Sequence, residues 1–384
     1  MPASTIEIDQ PVTSAAAVSV RTARFADYGA IAALMQRHGM EVYSREDWEH
    51  LWRGNPVYEK RAGDWPIGWV LETADGRVVG FSGNIPVECW YASAEFSGRM
   101  LTAAVTSAWV VDTDYRSHSM LLASKYFAQK NVDLLLNTTA IHVAGQIFRA
   151  FHAKPIPVEG LETALFWVLD YRGFALSTLA RKNVPLAGMA SYPAAAALAV
   201  AAKLKGSTAG RSFPAVKAIE NFDERFDDLW QQLQQQSSTL LSVRDRETLQ
   251  WHFRRSTQSG GLWIYAHESD GRLTAYAIFQ RQDKADVGLT RMRLVDFQSL
   301  DANPQILDAM IAVALKRAKA EGIQMLEVLG FSGAVRSRLE KLAPFRRQLP
   351  SQLYFYKAVS KELKTQLANP RAWQPSSYDG DSSL

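Results

Sequence analysis

A similar order of motifs occurs twice along this 384-residue chain, and the repetition limits the fold more than any other feature. The tripeptide Asp-Gly-Arg lies between apolar segments at 75–77 and again at 270–272. Asp-Gly in such a context predicts a β-hairpin, because glycine readily adopts the positive φ that the tight turn requires. A helical stretch rich in Trp and Arg precedes each hairpin, at 45–53 and at 244–254. Matched points are about 200 residues apart, which indicates a tandem duplication.

The segments after each hairpin predict the same further elements. In the first half, the almost entirely apolar stretch Met100–Val111 is typical of a strand buried on both faces. A helix at 116–130 and a strand at 132–136 follow, and this crossover predicts a parallel, right-handed connection. In the second half, Leu289–Phe297 is the corresponding strand, and Asn303-Pro304 suits the N-cap and first position of the next helix.

Each half is then expected to end with one more helix, at 142–152 and 334–343, and a closing strand, at 161–170 and 352–359. We therefore predict an α/β fold of two tandem units, each a mixed, mostly antiparallel sheet with a parallel central pair and helices on both faces. Two unrelated α/β domains with generic hairpins are the alternative, which the ordered series of matches disfavours.

The duplication also predicts how the chain is divided. The expected segments are a flexible N-terminus (1–17), an N-terminal unit with a candidate cofactor site (18–171), a linker with a short helix (172–214), a degenerate C-terminal unit (215–360) and a tail (361–384). Because the end of the tail is rich in Ser, Pro and Asp, it is expected to be disordered.

Composition excludes several classes of protein. A hydrophobic fraction of 47% provides for a sizeable core, and a net charge of +4 without a Lys/Arg block is not that of a dedicated nucleic-acid binder. The single cysteine, Cys89, excludes an intramolecular disulfide and a cysteine-based zinc site. The N-terminus does not resemble a secretory signal, and the apolar stretch Tyr192–Leu204 is too short to span a bilayer. We expect a cytoplasmic protein without a metal site.

The order of elements, together with the stretch Trp109–Leu122, resembles the GNAT acyltransferase superfamily, and the duplication resembles its tandem members. In that superfamily an Arg/Gln-x-x-Gly-x-Gly/Ala loop and the following helix N-terminus bind the coenzyme A pyrophosphate, while the preceding strand contacts the pantetheine arm. This chain has Arg116 at the matching position, with Ser119 and Leu121 where the family prefers small residues. The resemblance thus implies the following cofactor-binding residues: Trp109, Val110, Val111, Arg116, Ser117, His118, Ser119, Met120, Leu121 and Asn137.

Asn137 begins the polar run Asn137-Thr138-Thr139, which follows strand 132–136 at the mouth of the expected cleft. Such residues either orient pantetheine or the acceptor, or cap the next helix. The second unit has Gln298–Pro304 in place of the pyrophosphate loop, without Gly or Arg. Asp301 would repel a pyrophosphate there and Pro304 lacks an amide donor, so this unit is expected to shape the substrate site without binding a coenzyme.

Acyl transfer to an amine requires a base for the amine and an acid for the leaving thiolate. GNAT-like enzymes often use a carboxylate from the central strands as the base and a tyrosine from the helix after the second parallel strand as the acid. Here that helix has no tyrosine but carries His142 and His152, and Glu88 is the carboxylate of the hairpin strand. Glu88, His142 and His152 are the predicted catalytic residues, although each also suits an exposed, structural position.

The resemblance implies an acyl-CoA-dependent N-acyltransferase of the N-acetyltransferase type, which transfers groups other than aminoacyl groups. Its co-substrate would be acetyl-CoA or another acyl-CoA, and its acceptor a small-molecule amine or an amino sugar. No specific nucleic-acid partner is expected, and a homodimer is one possible assembly. Two alternatives stay open: an aminoacyl-tRNA-dependent transferase of the tandem type, which predicts a strongly basic channel, and a non-catalytic binding or assembly protein.

Overall fold

A computed structural model describes residues 18–61, 63–93, 96–204, 214–349 and 353–384. The predicted flexible N-terminus, 1–17, and the end of the predicted linker, 205–213, lie outside the described residues. The strands are, in chain order, β1 (Val18–Thr22), β2 (Gly68–Thr73), β3 (Val78–Ser93), β4 (Phe96–Val111), β5 (Leu134–Ala140), β6 (Lys154–Pro155), β7 (Thr163–Val168), β8 (Lys217–Ile219), β9 (Leu241–Ser242), β10 (Leu262–Ser269), β11 (Arg272–Arg281), β12 (Arg291–Ser299), β13 (Met325–Val328), β14 (Phe345–Gln348) and β15 (Leu353–Ala358).

The α-helices alternate with these strands. They are α1 (Tyr28–Arg37), α2 (Arg45–His50), α3 (Pro56–Lys60), α4 (Ser119–Phe127), α5 (His142–Ala150), α6 (Tyr171–Arg181), α7 (Ala187–Leu204), α8 (Glu224–Gln236), α9 (Arg246–Gln258), α10 (Pro304–Ala320), α11 (Gly333–Leu342) and α12 (Lys361–Gln366). As the sequence predicts, Asn303 is the N-cap of α10, where its side chain accepts a hydrogen bond from the Gln305 amide, and Pro304 is the first helical residue.

The strands form two mixed sheets. The first has the order β1-β2-β3-β4-β5-β15-β6, with β9 beside β3, and the second has the order β14-β7-β13-β12-β11-β10-β8. Each contains the predicted hairpin, β2–β3 or β10–β11, and the predicted parallel central pair, β4–β5 or β12–β13. Helices cover both faces of the second sheet: Leu294 packs with α10 and α11 on one face, whereas Val295 packs with α8 and α9 on the other.

The closing strands are exchanged between the two halves of the chain. β7 pairs with β13 and β14 of the second sheet, and β15 pairs with β5 and β6 of the first. The expectation that each closing strand completes the sheet of its own half is therefore wrong. Both strands are apolar and buried on both faces, and such a pattern predicts a central strand without indicating which sheet it joins.

Residues 367–384, here called the interlobe segment, pass between the two sheets instead of forming a disordered tail. The side chain of Gln280, in β11, donates a hydrogen bond to the Ser383 carbonyl at 2.9 Å. The side chain of Gln282, just after β11, donates one to the Ser382 carbonyl at 3.0 Å. Trp373 and Tyr378 are buried within the segment. The apolar burial of these two aromatic rings offsets the cost of ordering the polar residues around them.

Within the predicted linker, α6 and α7 pack against each other as a helical hairpin. The predicted helix 193–203 lies inside α7, which starts earlier, at Ala187. The Arg172 guanidinium lies 4.3 Å from the centre of the Tyr192 ring and joins the two helices. Across the described parts of the chain, none of the helices combines the length and apolar character needed to cross a membrane.

Candidate active site

The central strands of the first sheet separate at their carboxyl ends. β4 and β5 are paired only where Ala103–Val105 faces Leu134–Leu136, yet β4 continues to Val111 and β5 to Ala140. Beyond the paired region β4 stays with β3, whereas β5 stays with the exchanged strand β15. The result is a wedge-shaped gap between two parallel strands, the place where ligands bind in open α/β sheets.

A β-bulge shapes the β4 side of this gap. The β3–β4 ladder pairs Gly83 with Ser107 and then Phe81 with Val110, so that Ala108 and Trp109 both lie opposite Ser82. Ala108 has a φ of 50°, a conformation that L-residues rarely adopt. Bulges turn a strand and redirect its backbone groups, and they are common next to active sites.

Tyr126 of α4 fixes the point at which the gap opens. Its buried hydroxyl lies 2.8 Å from the Ala104 carbonyl and 2.9 Å from the Leu136 carbonyl. These two carbonyls belong to the last residues at which β4 and β5 are paired. Burial raises the pKa of this phenol well above its usual range, so that Tyr126 remains a neutral donor. Its role is structural, in agreement with its place on the apolar face of the predicted helix.

The interlobe segment brings a carboxylate to the gap. Thr139 Oγ1 on β5 donates a hydrogen bond to Asp381 Oδ1 at 2.9 Å, and the Ser107 side chain on β4 also hydrogen-bonds to this carboxyl. Burial raises the pKa of Asp381 to about 6, against the smaller opposing effect of the Thr139 and Ser107 hydrogen bonds. A carboxylate of this basicity is suited to general-base chemistry near neutral pH.

Gly380 allows the segment to approach β5 closely. A Cβ at this position would overlap the Thr138 side chain, so no larger residue fits without a shift of the backbone. Thr138 Oγ1 is buried and has no hydrogen-bond partner among the described residues. A buried hydroxyl without a partner costs free energy, and at a strand end beside a gap it is suited to contact a ligand.

The predicted cofactor residues lie along this edge of the sheet. Trp109 is the second residue of the bulge, and the buried residues Val110 and Val111 follow it at the end of β4. The stretch Thr113–His118, which covers the end of the predicted loop and the first residues of the predicted helix 116–130, forms a 3-10 helix that leads into α4. Helix α4 begins at Ser119, three residues later than predicted, because the preceding turns adopt i to i+3 hydrogen bonds.

The side chains around the start of α4 are accessible. Arg116 and Ser117 are exposed, and Ser117 Oγ lies 3.3 Å from His118 Nδ1. Met120 and Leu121 have exposed fractions of 43% and 38%, so neither side chain is buried in the core. Asn137 is buried in β5, where its Oδ1 accepts a hydrogen bond from the Thr139 amide at 3.0 Å. Asn137 thus supports the backbone that presents Thr139.

The three predicted catalytic residues lie at different places. Glu88 on β3 forms an ion pair with Lys60 at 3.2 Å and faces Thr102, four residues before the gap begins at Thr106. His142 is the first residue of α5, directly after β5, and is exposed. His152 follows the opposite end of the same helix, so the structure does not bring the two histidines together.

A large cavity lies between the two sheets. Its volume is about 790 Å³, and it is lined by Thr139, Ser382 and Leu384 on the side of the gap and by β11, β12, β14 and α6 on the other. Volumes of this size are typical of small-molecule sites. The cavity, called here the interlobe cavity, extends from Thr139 and Ser382, the hydrogen-bond donor and the chain neighbour of Asp381, to the second half of the chain.

Three arginines surround one buried carboxylate in the wall of this cavity. Arg291 and Arg293 on β12 and Arg347 on β14 all donate to Glu327 on β13, at 2.9, 2.8 and 2.6 Å. Burial opposes ionisation of Glu327, but the three guanidinium charges lower its pKa to about 2. The group, called here the arginine cluster, therefore keeps a net positive charge of two.

Comparisons with known proteins agree with this architecture. The chain is similar to Saccharomyces cerevisiae N-myristoyltransferase with bound myristoyl-CoA, with a TM-score of 0.55 at 12% identity over 91% of this chain and 81% of that one. It is also similar to a GCN5-related N-acetyltransferase from Kribbella flavida, with a TM-score of 0.53 at 12% identity over 89% and 71% of the two chains. A GCN5-related N-acetyltransferase from Anabaena variabilis gives 0.51 at 10% identity over 90% and 73%.

The protein therefore has the fold of the GNAT acyltransferases, in the two-lobed form that the duplication predicts. The predicted mixed α/β fold class is confirmed. Neither protein-family models nor the sequences of curated proteins give a match to this chain.

Two parts of the site were missed by sequence reasoning. Asp381 lies in a segment expected to be disordered, although Trp373 and Tyr378 in that segment were a signal of burial. The arginine cluster also had a signal in the sequence, because Arg291 and Arg293 are two residues apart in the otherwise largely apolar strand β12 and therefore lie on the same face. Two charges on one face of a buried strand require a buried partner, and Glu327 on the neighbouring strand is that partner.

Proposed function

We propose that this protein is an acyl-CoA-dependent N-acyltransferase, which transfers an acyl group other than an aminoacyl group to the amine of a small molecule or an amino sugar. The observation that carries the proposal is the Asp381 carboxyl held by Thr139 at the gap between β4 and β5. With a pKa of about 6, Asp381 is mostly ionised at neutral pH and more basic than an ordinary carboxylate.

We assign the gap between β4 and β5 to the pantetheine arm of a coenzyme A thioester. From Thr106 onward, β4 has no ladder partner in β5, and the bulge at Ala108 redirects its backbone. Trp109–Val111 and the Thr138 hydroxyl would hold the pantetheine arm, while Arg116 and the amino-terminal turn of α4 would bind the pyrophosphate. The thioester supplies the activated acyl group.

The chemistry assigned to Asp381 is removal of one proton from the nitrogen of a neutral amine as that nitrogen attacks the thioester carbonyl. The new C–N bond forms and the C–S bond breaks. The thiolate of coenzyme A takes up one proton from His142, which regains it from water, and leaves as the thiol. Asp381 returns its proton to water, so that the carboxylate is restored for the next turnover.

Among the predicted catalytic residues, we assign the proton donor to His142. Helix α5 has nine residues and is about 13 Å long, so His152 lies a helix length from the carboxyl end of β5. Glu88 lies four strand residues before the gap, about 13 Å along β4, and is neutralised by Lys60. We propose no role in the reaction for these two residues.

The test is an assay of acyl transfer with acetyl-CoA and a longer acyl-CoA against a panel of amines, read as release of free thiol and as mass gain of the acceptor. Wild-type protein is expected to release thiol only when an amine is present, and Asp381→Asn is expected to release little. Absence of amine-dependent thiol release with all donors, from protein shown to bind acyl-CoA, would contradict the proposed function.

A further inference from the structure

The wall of the interlobe cavity carries more positive charge than its own ion pairs neutralise. Three guanidinium groups share the single carboxylate of Glu327, and the side chains of Arg291 and Arg293 are only 7% and 6% exposed. Unbalanced charge at such depth is unfavourable unless a counter-ion is bound, because burial penalises the charged form. Burial and the nearby Arg293 charge lower the pKa of Arg291 to about 10, still far above neutrality, so the excess charge persists.

One donor of the cluster is also left without a partner. Arg347 Nε is buried and makes no hydrogen bond within the described residues, although Arg347 Nη2 donates a hydrogen bond to Glu327. A guanidinium uses its planar fork to bind carboxylate or phosphate through two parallel bonds. With one arm of Arg347 on Glu327 and Nε unpaired, the cluster is suited to a further anionic oxygen.

The surroundings of the cluster add to this preference. Four further cationic side chains line the same cavity: Arg181, Arg255, Arg281 and Lys284. The lining carboxylates are fewer, and two of them are paired, Glu41 with Arg255 at 2.6 Å and Asp283 with Arg281 at 2.8 Å. Low-dielectric walls lined by one sign of charge concentrate the field and attract ligands of the opposite charge.

We infer that the arginine cluster binds the anionic group, carboxylate or phosphate, of the acyl acceptor, whose amine then reaches Asp381 from the interlobe cavity. This inference rests on the proposed function for the identity of the ligand as an acceptor. Thr139, the hydrogen-bond donor to Asp381, lines the same cavity as the three arginines, which gives the ligand one continuous space. A volume of about 790 Å³ favours a small molecule over a nucleic acid.

The test uses matched variants of two neighbouring arginines. Arg347→Met removes one charge from the cluster while Arg291 and Arg293 still neutralise Glu327. Arg346→Met removes the adjacent, exposed charge on the opposite face of β14 and is the control. Glu327→Gln raises the charge of the cluster and is expected to change binding in the opposite direction.

Calorimetric titrations of the full chain with inorganic phosphate and with malonate, at constant ionic strength, measure the anion site directly. Arg347→Met is expected to weaken binding at least tenfold, Arg346→Met less than twofold, and Glu327→Gln is expected to tighten it. Preference for phosphate or malonate distinguishes a phosphorylated from a carboxylated acceptor. No binding by the wild type, or equal loss in Arg347→Met and Arg346→Met, would overturn the inference.

The same proteins are titrated with acetyl-CoA to separate this inference from the proposed function. If the cluster serves the acceptor, Arg347→Met binds acetyl-CoA as tightly as the wild type does. Anion binding without acetyl-CoA binding would leave the anion site in place and contradict the acyltransferase. Acetyl-CoA binding that falls with Arg347→Met would assign the cluster to the coenzyme phosphates and overturn its role in acceptor binding.

A second inference concerns the helical hairpin of α6 and α7. One face of α7 and the preceding turn exposes large apolar side chains, with exposed fractions of 71% for Leu186, 65% for Met189, 59% for Tyr192 and 58% for Val200. Met189, Tyr192 and Val200 are three, then eight residues apart, which places them on one helical face. A contiguous exposed apolar surface of this kind marks a site of interaction.

The charge of the hairpin indicates the kind of surface that it binds. From Tyr171 to Leu204 the hairpin contains four Lys or Arg residues and neither Asp nor Glu. Exposed apolar side chains, with a tyrosine among them, on a hairpin that carries only basic charges suit the interface of an anionic membrane, which is apolar inside and negatively charged at its surface. We propose that the hairpin docks on the surface of an anionic membrane, with α7 lying in the interface.

Co-sedimentation with phosphatidylcholine vesicles, with and without phosphatidylglycerol, tests this surface. The double variant Met189→Glu/Val200→Glu is expected to lose binding to phosphatidylglycerol vesicles at least tenfold. Gln231→Glu/Gln235→Glu adds the same charge to an exposed face of α8 and is expected to bind like the wild type. Wild-type protein that does not sediment with anionic vesicles, or a hairpin-dependent dimer in light scattering without vesicle binding, would overturn the proposal.

Discussion

Thr139 Oγ1 donates a hydrogen bond to Asp381 Oδ1 at 2.9 Å, and this bond joins a central strand of the first sheet to a residue 242 positions later in the chain. The bond holds the carboxylate at the gap between β4 and β5. It also favours the ionised form, since the donor stabilises the negative charge. The candidate base is therefore built by the packing of the interlobe segment, and its chemistry depends on that packing.

Replacing Asp381 by Asn tests its role as base. We expect kcat/KM to fall by about 10²- to 10⁴-fold, the usual contribution of a general base, with little change in acyl-CoA affinity. For the wild type, kcat/KM is expected to rise with pH through a pKa of about 6, because only the ionised carboxylate accepts the proton.

Thermal unfolding separates this role from a structural one. The folded-state pKa of Asp381 is raised, so ionisation disfavours the fold increasingly as the pH rises from about 4 through about 6. Asp381→Asn is thus expected to have a Tm at pH 8 equal to or above that of the wild type. A variant that loses activity together with Tm would assign Asp381 a structural role instead.

Removal of the Thr139 hydroxyl should shift the pH profile without removing the base. Thr139→Val deletes a hydrogen bond that favours the carboxylate, so the pKa of Asp381 is expected to rise and the profile to move to higher pH. Thr139→Ser retains the donor and serves as the control. Identical pH–rate profiles for the two variants would show that this bond does not tune the carboxyl group.

Gly380→Ala tests the close contact between the interlobe segment and β5. An added Cβ would overlap Thr138, so the segment must move and carry Asp381 away from the gap. We expect kcat/KM to fall by about tenfold or more, since displacements of about 1 Å can cost up to ~10²-fold. Gly29→Ala on α1, where a Cβ has open space, is the matched control and should keep full activity.

Arg244 ties the interlobe segment to the second sheet. Its fully buried guanidinium binds Asp296 through two bonds, at 2.8 and 3.1 Å, and Asp379 at 3.3 Å. Arg244→Met leaves Asp296 buried without its counter-charge, and the free energy of unfolding is expected to fall by about 3–5 kcal/mol. Denaturant unfolding measures this change.

Arg246→Met is the control for that measurement. Arg246 is 46% exposed and lies 3.5 Å from Asp227, so its loss should cost only about 0–1 kcal/mol. Comparable destabilisation by the two variants would contradict the view that Arg244 holds the segment.

The exchanged strands predict that the two lobes unfold together. Because β7 completes the second sheet and β15 the first, neither half of the chain contains its whole sheet. Tryptophan fluorescence and circular dichroism should report a single coincident transition in denaturant. Two resolved transitions would show that the lobes are independent despite the exchange.

Local patterns in the sequence predicted most of the individual elements. Asp-Gly turns predicted both hairpins because glycine supplies the required φ, as Gly76 and Gly271 do here at 82° and 74°. Asn303-Pro304 likewise predicted the start of α10 from cap chemistry alone. The resemblance to GNAT acyltransferases followed from the order of these elements.

Long-range pairing was not available from the same patterns. An apolar strand carries no information about which sheet edge it joins, so the exchange of β7 and β15 was missed. The buried position of Asp381 depends on Gly380 fitting against Thr138, a contact between distant parts of the chain. The amino-acid composition of the tail predicted disorder, because composition carries no information about the tertiary contacts that order a polar segment.

The most direct test of the central claim is calorimetric titration of the full chain with acetyl-CoA and a longer acyl-CoA, comparing the wild type with Arg116→Glu. The control is Lys125→Glu, which makes the same charge change in the last turn of α4. We predict wild-type binding near micromolar, about −8 kcal/mol, that is lost in Arg116→Glu and retained in Lys125→Glu. Absence of heat with both donors, or equal binding by Arg116→Glu and the wild type, would contradict an acyl-CoA site at the start of α4.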